Sequence, residues 1–142
     1  MVEALIICKK LGVLVTYYKE LQELVLDMTL DAYRAELLKK RAVEREIQLI
    51  VECATDINNM ILKMIDKQPA KDYFNSFIDL AENNVISVEF ALQIAPSTGL
   101  RNILVHEYQK IDDTIVFNSI NNVLVYYKHY ITKISTFLDC GI

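Results

Sequence analysis

Glycine and proline are scarce in this chain, at 3 and 2 among 142 residues. So few punctuating residues cannot turn the many corners of a sandwich or barrel, whereas a handful of long helices has few corners to turn. Cysteine is almost as rare. Cys8, Cys53 and Cys140 form an odd set with no Cys-x-x-Cys spacing, which speaks against a disulfide framework and against a zinc site, and a reducing cytoplasm is the expected setting. Glu3 precedes any basic residue and Lys9-Lys10 interrupt the first apolar stretch, so the start of the chain does not read as a secretory signal. The longest uncharged run, Thr114 to Tyr127, falls short of the ~18 residues that a membrane-spanning helix takes, and it contains Asn118, Asn121 and Asn122. No membrane partner is expected. Histidine occurs only as His106 and His129, and HExxH, Gly-rich phosphate-loop and GxSxG patterns are all missing. Neither a metal nor an organic cofactor is expected.

A positive excess is absent as well. The formal charge is −4, and the whole deficit lies in residues 72–142, where 4 basic residues face 8 acidic ones. An acidic chain binds nucleic acid poorly except where cations cluster. One such cluster exists: Arg34, Lys39, Lys40, Arg41 and Arg45 crowd into about three helical turns. It could track a phosphate backbone, or it could be a solvated helix face with Glu36, Glu44 and Glu46 interleaved.

What the chain has in plenty is apolar residues, 53% of the total. At this length one domain covering 1–142 is expected, burying roughly 68–70% of its unfolded surface without any staple. Ile7, Leu11, Leu14, Tyr18, Leu21, Val25 and Met28 recur at alternating steps of four and three, which places them on one stripe of a helix. The same alternation returns in Val43, Ile47, Ile50, Ala54, Ile57, Ile61 and Met64, and again in Val116, Ile120, Val123, Tyr127, Tyr130, Ile134 and Phe137. Burying one such side chain is worth about 1.5–3 kcal/mol, so the three helices should pack as a bundle rather than stand apart. Between the last two, Asp72 caps a short helix carrying Tyr73, Phe77 and Leu80, and Ser87 caps another through Phe90 and Ile94. Pro96-Ser97-Thr98-Gly99 predicts a kink or break, with helix resuming near Leu100 and Asp112-Asp113-Thr114 supplying capping groups for the final helix. The expectation is all-α, an up-and-down bundle of four to five helices.

The segment Leu100 to Tyr108 concentrates chemistry. Asn102 and His106 lie one turn apart on one face, while Arg101 stands about 140° round the helix from His106. A permanent cation, an amide and a titratable base are what metal-free phosphoryl chemistry would use. The alternative is a buried His–Asn hydrogen bond with a surface arginine. His129, in an aromatic stretch, reads as a packed or half-exposed histidine.

Arg101-Asn102, His106 and Tyr108 resemble the RN-x3-H-x-Y signature of the HepT-like ribonuclease toxins, a branch of the HEPN superfamily. Arg45 to Ile50 with Asp56 resembles that family's second helix, and Tyr73 to Ile86 its middle segment. The resemblance implies a homodimer whose motif helices face each other, so that Arg101 of one subunit complements His106 of the other. It implies RNA cleavage without a metal: His106 as general base on a ribose 2′-hydroxyl, Arg101 on the phosphate, Asn102 orienting one of them, and DNA inert for lack of that hydroxyl. Lys39, Lys40, Arg41 and Arg45 would give weak additional RNA contacts. It also implies a nucleotidyltransferase antitoxin that attaches AMP to Tyr108. The competing expectation keeps fold and partner but drops cleavage, leaving a dimeric nucleotide-binding or accessory module of the transferase.

Overall fold

Three amphipathic stripes dominate the sequence, and three long helices dominate the fold. The computed structural model describes residues 2–107, 109 and 111–142. Among these residues the elements are α1 (Val2–Leu24), α2 (Leu30–Ala35), α3 (Leu37–Met64), α4 (Tyr73–Glu82), α5 (Val88–Ile94), α6 (Ser97–His106) and α7 (Asp113–Leu138), with no strand. Every residue of the first stripe from Ile7 to Leu21 is buried on α1, and the second and third stripes are buried on α3 and α7 as far as Ile61 and Ile134. The stripe members beyond those points are half-buried, or exposed in the case of Phe137 at 41%.

With glycine scarce, other residues close the helices. Asp27, Asp66, Asn84 and Asp139 adopt φ between 56° and 62°, the left-handed region that their short polar side chains tolerate. At the other ends, Thr29, Asp72, Ser87 and Asp112 each accept a backbone N–H of the first turn. The caps at Asp72 and Ser87 are those expected from the sequence, and of the expected run Asp112-Asp113-Thr114 it is Asp112 that caps α7.

The Tyr18 hydroxyl donates to the Leu124 carbonyl, and Lys10 pairs with Asp56, so α1 runs antiparallel to both α3 and α7. Lys40 meets Asp113 and Tyr130 meets Ala54, so α3 and α7 run the same way, as the second and last long helices of an up-and-down bundle do. Three expectations are corrected. There are seven described helices rather than four to five: the six-residue α2, with Tyr33 its single buried residue, is too short to show a period, and Pro96 divides α5 from α6. Second, helix resumes at Ser97, not Leu100. The break comes from Pro96, which lacks the N–H that would continue α5, and Gly99 sits inside α6 in an ordinary backbone conformation. Third, Cys8 and Cys140 form a disulfide across a sequence separation of 132, with Cα atoms 5.5 Å apart. Antiparallel α1 and α7 bring the chain's ends together, which no local spacing could reveal. Cys53 remains free and buried. No described helix is long and apolar enough to cross a membrane.

Inside the core, one polar chain ties three helices. The Tyr130 hydroxyl donates to Asn58 Oδ1 at 2.6 Å, the Asn58 amide donates to Ser76 Oγ at 2.9 Å, and Ser76 donates to the Tyr73 carbonyl at 2.7 Å. All its side chains are satisfied, so it fixes α4 on α3 without a stranded polar group.

Two outcomes follow for stability. In the chain-entropy account, closing a loop of this length constrains the unfolded state by up to about 5 kcal/mol, so dithiothreitol or Cys8→Ser should lower Tm by up to about 15 °C, measured by circular dichroism. Separately, the carboxyl of Glu46 is pushed up to about 7, first by burial and then by the hydrogen-bonded Glu20 carboxyl, with Arg45 opposing. An unfolded glutamate ionises near 4.5, so between that value and 7 the folded chain binds more protons than the unfolded one. Stability should therefore fall as pH rises through this window. Glu46→Gln should flatten that slope in urea titrations and raise Tm at alkaline pH.

Candidate active site

The placement of α6 decides where the motif residues point. Its first turn is anchored by a hydrogen bond of 2.7 Å between Ser97 and the buried Tyr127 hydroxyl, and by Thr98 donating to the Ala95 carbonyl at 2.8 Å. Leu104 is buried further along. Held in this way against α3 and α4, α6 directs Arg101 into the seam between them.

Arg101 is fixed from three sides. Its Nε and Nη2 both donate to Glu52 Oε2, at 2.9 and 2.6 Å. Its Cζ lies 4.7 Å from the centroid of the Tyr73 ring, a cation–π stack. Its Nη1 donates to Asn102 Oδ1 at 3.1 Å. Glu52 Oε2 also accepts from the Gln48 amide at 3.1 Å, so the carboxylate is itself held in place. Side-chain exposure of 14% for Arg101 and 27% for Glu52 leaves this pair only partly screened by water. A guanidinium has five N–H donors. Three are engaged among the described residues, which leaves one on Nη1 and one on Nη2 for an incoming anion.

His106 is different. It is the last residue of α6, exposed, with the Glu107 N–H closing the turn on the Ile103 carbonyl. It stands about 7.5 Å along the helix axis and about 140° around it from Arg101. Within one chain the structure brings Arg101 and Asn102 together and sends His106 out to solvent elsewhere. The alternative of a buried His–Asn bond is overturned, because Asn102 and His106 are both exposed. Tyr108 lies outside the described residues. Among those described, no group of three His, Cys, Asp or Glu side chains could hold a metal ion.

The basic cluster is divided by ion pairs. Lys40 meets Asp113 at 3.1 Å and Arg41 meets Glu44 at 3.0 Å, while Arg34 donates to Thr114. Lys39 and Arg45 are exposed. His129 packs at the edge of Phe90 with ring centroids 4.4 Å apart, in keeping with a packed, exposed histidine. Sequence reasoning missed Glu52 and missed the use made of Tyr73. The available signal was that Glu52 is the single charge between Glu46 and Asp56 on a helix otherwise committed to the core.

Comparison with known proteins bears on this geometry. The family model described as Ribonuclease HepT-like matches residues 14–134. A tRNA nuclease HepT from Aphanizomenon flos-aquae is 36% identical over 137 residues, covering 96% of this chain and 92% of that protein. An mRNA nuclease HepT from Shewanella oneidensis is 26% identical over 129 residues, covering 91% and 96%. Among solved structures, a tri-AMPylated Shewanella oneidensis HEPN toxin in complex with MNT antitoxin superposes with a TM-score of 0.83, at 26% identity, covering 92% of this chain and 97% of that one.

A double-mutant cycle tests the clamp. Glu52→Gln and Arg101→Gln, alone and together, should give a coupling energy of about 1–3 kcal/mol in urea unfolding. Additive effects would reduce the pair to an incidental contact.

Proposed function

The chain belongs to the HepT-like ribonuclease family, and from that premise we propose that it is a metal-independent endoribonuclease toxin of a toxin–antitoxin pair, cutting RNA in a cleft that two copies build together. The observation that carries this reading is the clamped Arg101. Glu52, Tyr73 and Asn102 hold its plane, so two N–H donors are already aimed when a phosphate arrives, and little reorganisation is left for the reaction. His106 is the exposed base on the same helix. It takes the proton of a ribose 2′-hydroxyl, the 2′-oxygen closes on the adjacent phosphorus, and the bond to the 5′-oxygen breaks, that oxygen leaving as a hydroxyl with a proton from water, while Arg101 and Asn102 face the crowded phosphate charge. DNA has no 2′-hydroxyl and is not a substrate.

The two side chains diverge within one subunit, so the cleft is composite: Arg101 of one copy works with His106 of the other. A two-fold dimer provides two such clefts. The two named nucleases act on different RNAs, so the class is carried over to this chain and no particular species. Arg45, exposed two turns before Glu52 on the same face of α3, and Lys39, exposed near the start of that helix, give weak contacts to the strand, with Lys40 and Arg41 nearby but already paired. The MNT complex and AMPylated state of the Shewanella toxin support a nucleotidyltransferase antitoxin as partner here, with Tyr108 as the acceptor. An adenylate two residues beyond His106 adds an anion and a nucleoside where the substrate phosphate must pass.

A second reading has one observation in its favour. The charge of Arg101 is already met by Glu52, which suits an accessory module that binds nucleotide without cutting it.

The test uses purified RNA with chelator present. His106→Ala should reduce kcat by about 10²–10⁴-fold and Arg101→Ala by about 10²–10³-fold. Mixing the two inactive proteins should restore roughly a quarter of wild-type activity, since half the dimers are mixed and each carries one intact cleft. Activity of both variants equal to wild type would favour the accessory module, and no recovery on mixing would remove the composite cleft.

A further inference from the structure

The clamped arginine lies at the middle of a longer polar seam. At 100° per residue, Glu52, Asp56, Asn59 and Lys63 fall within about 60° on one face of α3, and Lys63 stands about 16 Å along the axis from Glu52. Where the seam meets α1 it opens into a cavity of ≈ 650 Å³ lined by Lys10, Asp56, Asn59, Met60, Lys63, Lys67 and Pro69. That volume suits a nucleotide-sized group.

The cavity is built, not incidental. The segment after α3 forms its outer wall, held by the Lys67 N–H on the Leu62 carbonyl at 2.8 Å and by the Ala70 N–H on Asn59 Oδ1 at 2.9 Å. The same segment runs on through the Asp72 cap into Tyr73, the ring that stacks on Arg101. Wall and catalytic clamp are thus one continuous piece of chain. Its charge is positive on balance: Lys10 pairs with Asp56 at 3.4 Å, and Lys63 and Lys67 have no ion pair among the described residues. Met60 and Pro69 add apolar lining. In an acidic protein, a lysine-rimmed hollow in line with a phosphate-directed arginine is a selective place for a strand to lie.

We propose that this cavity is a second nucleotide subsite of the RNA strand, with Lys63 and Lys67 on a backbone phosphate and the base over Met60 and Pro69, about three helical turns along α3 from the Glu52 that holds Arg101. The inference rests on the ribonuclease reading and deepens it: the substrate is a single strand long enough to reach both positions, and its affinity depends on that reach.

The experiment measures binding by fluorescence anisotropy in a His106→Ala background, which prevents turnover, using a dinucleotide and a single-stranded oligonucleotide that spans both positions. The double variant Lys63→Ala/Lys67→Ala should weaken the long strand by about tenfold at low salt, cancel its advantage over the dinucleotide, and reduce the slope of log K against log salt by about 0.7. Lys63→Arg/Lys67→Arg should restore most of that loss, and unchanged Tm values would separate the effect from misfolding. An unaltered long-strand affinity and slope would overturn the subsite while cleavage by the His106-intact protein, lost in Arg101→Ala, still upheld the ribonuclease reading. Weakened association with the co-expressed transferase, with RNA binding intact, would reassign the cavity to protein docking. Absence of any RNA binding or cleavage in the His106-intact protein would remove both readings together.

Discussion

The contact on which the rest of the site depends is the ion pair between Glu52 and Arg101. It joins two helices whose positions are set by unrelated forces, α3 by its apolar stripe in the core and α6 by the interruption at Pro96 and the Ser97–Tyr127 hydrogen bond. A carboxylate opposite the guanidinium reduces the net charge offered to a substrate, yet it also removes the freedom of a long side chain. The buried Tyr130–Asn58–Ser76 chain adds the third side by fixing α4, and with it the Tyr73 ring. The arrangement exchanges charge for geometry. It suits a group whose task is to meet a phosphate in one orientation rather than to attract it from afar.

The sequence made the long elements legible because each repeats the same physical demand over many turns. Seven residues at steps of three and four admit one buried face, and side-chain caps such as Asp72 and Asp112 are local chemistry. The six-residue α2 offers too little repetition to show a period, whereas the seven-residue α5 was readable from its Ser87 cap. The parallel run of α3 and α7 is what an up-and-down order implies, but which side chains meet across the helices was hidden. The disulfide belongs to the same class: Cys8 and Cys140 are neighbours only once the helices have packed.

At the site, Arg101, Asn102 and His106 were readable as a spacing and as a resemblance, but their surroundings were not. Nothing in the segment around Arg101 indicates that Glu52, 49 residues earlier, accepts two of its hydrogen bonds. Tyr73 was read as part of an apolar stripe, and it does begin α4; its face is used by the arginine instead. The basic cluster was visible, and so was Glu44 three residues from Arg41, while the pairing of Lys40 with Asp113 required the fold.

The bond between Cys8 and Cys140 closes the stretch between them into a ring. Whatever is joined before Cys8 and after Cys140 meets at one corner of the bundle, so the two could be spliced there with a new opening cut in an exposed turn elsewhere. Tension applied across these two residues would load the sulfur–sulfur bond rather than peel α1 from its neighbours.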